Sequence, residues 1–142
     1  MKSGFLQYGQ RKYHSVFLTQ VESLEPNTAK KLYEFVEAGG RIFFIETFPA
    51  KATGWNDHEV RDKEVQDWMN KIRADGERCI FLNKPGKDYD SWFKEAQEKY
   101  NINPYVKIDQ PNKFITQVRY QARDVDMAWS KVTRAMASGS IV

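Results

Sequence analysis

The stretch Val36–Pro49, "VEAGGRIFFIETFP", decides how this chain is read. A helix-like segment, two glycines, a dense apolar run and a proline follow one another without a linker. A Gly-Gly pair beside a buried strand can cradle phosphate, or it can simply end a helix and release a strand. A dinucleotide fingerprint needs its glycines after a strand and at a helix N-terminus, where backbone N–H groups face the ligand. Gly39 and Gly40 follow a helix and precede a strand, at the opposite end of the helix dipole. They are expected to form a left-handed C-terminal cap. "RIFFIE" then reads as a strand buried on both faces, because it shows almost no polar alternation.

Working outward, the same unit recurs. Upstream, "YHSVFLTQ" (Tyr13–Gln20) holds an apolar run around Val16, Phe17 and Leu18 and reads as a buried strand. In "VESLEPNTAKKLYEFVEAGG", Pro26 suits the first helical position, and Leu32, Phe35 and Val36 form one apolar stripe. Downstream, "WNDHEVRDKEVQDWMNKIRADG" offers Asn56 or Asp57 as N-cap, a face of Val65, Trp68, Met69 and Ile72, and Gly76 as the stop. "RCIFLN" is the next strand. "KPGKDYDSWFKEAQEKYN" is a loop and a helix with the stripe Trp92, Phe93, Ala96 and Tyr100. Strand and helix alternating three times predicts an α/β fold with βαβ crossovers and a mainly parallel sheet between helical layers, a three-layer sandwich. From Asn103 the pattern changes. Alternation over Phe114–Tyr120 and Val125–Trp129, with Asp124 between, predicts a C-terminal antiparallel β-hairpin. The expected division is an α/β domain over 1–108, a hairpin over 109–132 that completes the sheet or opens a neighbouring β module, and a disordered tail over 133–142.

Composition excludes several classes of function. The chain has 142 residues, 41% hydrophobic and 14% aromatic, which is one domain with a real core. Its net charge of +3 is spread among interspersed signs, with no basic block, so nucleic acid is not an expected partner. No apolar run approaches the roughly 20 residues of a membrane span. The N-terminus lacks the apolar core and cleavage site of a signal peptide. One cysteine, Cys79, excludes an internal disulfide and any multi-cysteine metal site.

Each candidate for chemistry has a plain competitor. "NKPGKD" around Gly86 fails as a P-loop, since Lys87 precedes Asp88 and the upstream glycine is missing. No glycine-flanked Ser or Cys forms a nucleophile elbow, and Cys79 lies inside an apolar run, so no catalytic residue is assigned. Ligands of open α/β sheets gather beyond the carboxyl ends of the strands. That makes Glu46 and the loop from Thr47 to Glu59 the place to look. Asp57, His58 and Glu59 are ligand-forming by type, but three consecutive residues cannot face one point, and His14 is the only other histidine. An N-cap and an acidic first turn are the simpler expectation, with no metal and no cofactor. Trp55, in a polar loop, can stack on a sugar ring or plug an interface. Glu46, Trp55, Asp57 and His58 are thus the weak ligand-binding candidates.

The order of residues over "GFLQYGQRKYHSVFLTQVESLEPNTAKKLYEFVEAGGRIFFIETFPAKATG" resembles a segment of large bacterial glycoside hydrolases of the α-L-rhamnosidase and β-galactosidase type. Tyr8-Gly9, Tyr13, Glu22-Ser23-Leu24, Pro26, Thr28, Leu32, Phe35-Val36 and Gly39-Gly40 carry the match. The segment is their class I glutamine amidotransferase-like, flavodoxin-like accessory domain. "QVRYQARDVDMAWSKV" is similar to the stretch leading into the next β-rich module, so the resemblance spans about Gly4 to Val132. Thr19-Gln20 stand where the family often has Leu-Pro. The resemblance implies a soluble, non-catalytic structural or interaction domain excised from a larger, periplasmic or secreted polysaccharide-degrading enzyme. The sugar-cleaving carboxylates would lie in a separate barrel. Expected partners are the parent's other domains. Homodimerisation of the isolated fragment and contact with carbohydrate stay open, as do two other roles, a small carbohydrate-binding module and a stand-alone flavodoxin-like enzyme.

Overall fold

The computed structural model describes residues 4–9, 11–102, 115–122 and 125–132. In chain order the elements are β1 (Leu6–Tyr8), β2 (Arg11–Tyr13), β3 (Ser15–Thr19), β4 (Ser23–Leu24), α1 (Pro26–Glu37), β5 (Arg41–Ile45), β6 (Lys51–Ala52), α2 (His58–Ala74), β7 (Cys79–Leu82), α3 (Tyr89–Lys99), β8 (Ile115–Ala122) and β9 (Val125–Val132). The chain divides into two compact units, Met1–Lys84 and Pro85–Val142. The division falls ahead of α3, which the sequence pattern groups with the preceding βα units.

The fold is mixed α/β, and the centre of the first unit is a parallel sheet of order β3-β5-β7. Val16 pairs with Ile42 and Phe44 with Phe81, so the strands run in register with β5 in the middle. Ile42, Phe43 and Phe44 are fully buried, as expected of a central strand. Successive side chains leave opposite faces. Ile42 and Phe44 enter a core with Ala29, Leu32, Phe35 and Val36 of α1 and Val65, Met69 and Ile72 of α2. Phe43, on the other face, stacks on Phe17 at 4.5 Å between centroids. The outer strands are less covered than a buried-strand reading of their sequences implies. Phe17 is 38% exposed and Phe81 44%. Among the described residues, β5 is the strand that pairs with each of them.

Both glycines of the opening stretch have a mechanical reason. Gly39 has φ +99°, its N–H bonds Val36 O at 2.8 Å, and the Gly40 N–H bonds Phe35 O at 2.9 Å. Those two bonds form a Schellman cap, which satisfies carbonyls that the helix end would orphan. Gly40 serves a different need. A Cβ there would sit 2.2 Å from the Phe35 ring, so only glycine lets that buried ring lie against the turn. Helix α2 stops by other means than its glycine. Gly76 is not left-handed. Instead Asp75, as C-cap, accepts from the Arg78 N–H at 3.0 Å and the Arg78 guanidinium at 2.9 Å.

Four short strands have no periodic signal. β1 and β2 pair antiparallel, with Leu6 opposite Tyr13. β4 and β6 pair in parallel through Ser23–Lys51 and Leu24–Ala52. The two- and three-residue strands are too short to alternate detectably.

In the second unit, Asp88 caps α3 by accepting from the Ser91 N–H at 3.1 Å. Of its expected stripe, Ala96 is buried and Phe93 exposed. β8 pairs antiparallel with β9 from Ile115–Val132 to Ala122–Val125. The expected link residue Asp124 and the expected tail over 133–142 lie outside the described residues.

Candidate functional site

Parallel strands bring their carboxyl ends to one edge, and three polar residues meet there. Gln20 follows β3, Glu46 follows β5, and Lys84 lies just beyond β7. The Gln20 side-chain amide donates to Glu46 Oε2 at 2.5 Å, and Lys84 Nζ stands 3.4 Å from Oε1. Backbone bonds continue the ladder one residue past the strands, from the Gln20 N–H to Ile45 O at 3.1 Å and from the Glu46 N–H to Leu82 O at 3.0 Å. Gln20 and Glu46 are both left-handed, at φ +53° and +75°. Side chains with a Cβ adopt that region at a cost, so the surrounding bonds hold them there. Both oxygens of Glu46 are thus engaged by groups of the chain itself. The neighbouring Thr47 Oγ1 is buried without a hydrogen-bond partner among the described residues.

The loop after Glu46 is fastened along its length. Phe48 turns back against Phe44 and Phe81, at 4.6 and 5.0 Å between centroids, and the Arg73 guanidinium lies over its ring at 4.7 Å. Pairing of β6 with β4 holds the middle. Helix α2 supplies the remaining ties. Asp62 accepts from the Ala52 N–H at 2.6 Å, and the Gln66 amide donates to Ala50 O at 3.0 Å. Arg61 reaches Glu25 at 2.6 Å, and the Thr53 hydroxyl donates to the other oxygen of that carboxylate. Those two partners, Thr53 first and Arg61 second, hold the Glu25 carboxyl below its ordinary value of 4.5.

Beyond this anchored segment, Trp55 is 88% exposed. His58 stacks on it, with centroids 5.4 Å apart and ring planes 15° from parallel. Asp57 occupies the N-cap position of α2 as expected, but in a left-handed conformation, φ +50°, and its side chain makes no capping bond. Of the four candidates, then, Trp55 and His58 stand together beside Asp57, while Glu46 takes Gln20 and Lys84 as partners. Gln20, Lys84, Glu25, Thr53 and Arg61 are not singled out by the sequence reading. The first two had a usable signal, since residues just past neighbouring parallel strands share one edge. The others meet only through the packing of α1, β6 and α2.

Cys79 lies at the far end. It is the first residue of β7, paired with Ile42, and burial pushes its thiol up to about 11 against a weaker downward pull from Arg73. Among the described residues, no group of three or more His, Cys, Asp or Glu is gathered as a metal ion would need. Nor is any helix among them long and apolar enough to cross a membrane. No protein-family model, curated protein or solved structure matches this chain.

Proposed function

We propose that the chain is a non-catalytic structural or interaction domain of the amidotransferase-like kind that accompanies bacterial glycoside hydrolases of the α-L-rhamnosidase and β-galactosidase type. In that reading the sheet is the centre of a three-layer, flavodoxin-like sandwich that ends in the C-terminal hairpin. The parent enzyme acts outside the cytoplasm, and its other domains are the partners. The observation that carries the reading is the state of the strand ends. Where an α/β enzyme would hold reactive groups, Glu46 is occupied by Gln20 and Lys84. The only cysteine starts β7, at the opposite end of the sheet, with its thiol held neutral.

Topology bears on the stand-alone enzyme alternative alone. A doubly wound sheet forms its ligand crevice where the strand order reverses, as between the first strands of the order 2-1-3-4-5. β3, β5 and β7 run consecutively in one direction, like strands 3-4-5 of that order, and α1 and α2 share one core on one face. These three strands therefore generate no crevice between them, which weighs against a stand-alone enzyme.

The test is an assay of the purified chain on aryl-rhamnosides and aryl-galactosides. No turnover above the blank is expected. Turnover lost in Glu46→Gln overturns the proposal. The reading frame flanking this segment provides a second check, with a catalytic barrel expected in the same frame.

A further inference from the structure

We draw no further inference here: the strongest candidate, the surface patch along β7 at the edge of the parallel sheet among the described residues, where the exposed Phe81 stacks on Phe48, carries none, because nothing in the structure shows what covers it.

Discussion

The guanidinium of Arg61 meets the carboxylate of Glu25 at 2.6 Å, joining the residue that precedes α1 to the first turn of α2. Because Thr53 donates to the same carboxylate, one acidic group ties the starts of both helices to the loop that carries Trp55.

That tie should be pH-dependent. The folded-state pKa of Glu25 lies below its ordinary value, so the contribution is present above about pH 4.5 and is lost as pH falls through the lowered value. Glu25→Gln should therefore leave a shallower fall in melting temperature between pH 5 and roughly pH 3. A variant whose acid profile overlays the wild type would show that the carboxylate contributes nothing. The effect should be small, because the pair is exposed.

The two glycines can be separated. Gly40→Ala drives a Cβ into the Phe35 ring and should cost about 1–3 kcal/mol in urea unfolding. Gly39→Ala places a side chain at φ +99° and should cost about 1–2 kcal/mol. Substituting Phe35→Leu in the Gly40→Ala background should recover part of the first loss and none of the second. Equal recovery in both would contradict the assignment of separate roles.

Two aspartates at helix starts should behave differently. Asp88 makes its capping bond, so Asp88→Ala should cost α3 about 1 kcal/mol, seen as faster amide exchange at Ser91 and Trp92. Asp57 makes none and sits in the left-handed region. Asp57→Gly should thus leave stability within about 0.5 kcal/mol of wild type or raise it. A loss near 1 kcal/mol at Asp57 would mean that its side chain caps after all.

Cys79 should be a poor nucleophile. With its thiol pushed up to about 11 from 9.0, the thiolate fraction at pH 8 falls about a hundredfold. Labelling by a disulfide reagent should be correspondingly slow in the native chain and fast in denaturant. Fast native labelling would reopen Cys79 as a reactive group.

Much of the first unit was legible along the chain, for a definite reason. Periodicity is a local property, and the stripe of Leu32, Phe35 and Val36, the unbroken run Ile42–Ile45 and the glycines after α1 each announce burial or a stop within a few residues. Where the local signal failed, a side chain had replaced it. Asp75 ends α2 where Gly76 was expected to, through bonds to Arg78 that propensity does not reveal.

The site was legible only in part. Beyond β5, the sequence pointed to Glu46, which directly follows that strand, and to the loop reaching Trp55. What it could not say is that Glu46 is closed off by Gln20 and Lys84, residues 26 positions before it and 38 after it. Nor could it say that Trp55 is braced by His58 on a loop anchored through Glu25 and Arg61. Helix ends, strands and their order of appearance follow from interactions within a turn or two of chain. Which polar groups satisfy one another follows from strand register and helix packing, and those exist only once the distant pieces have met.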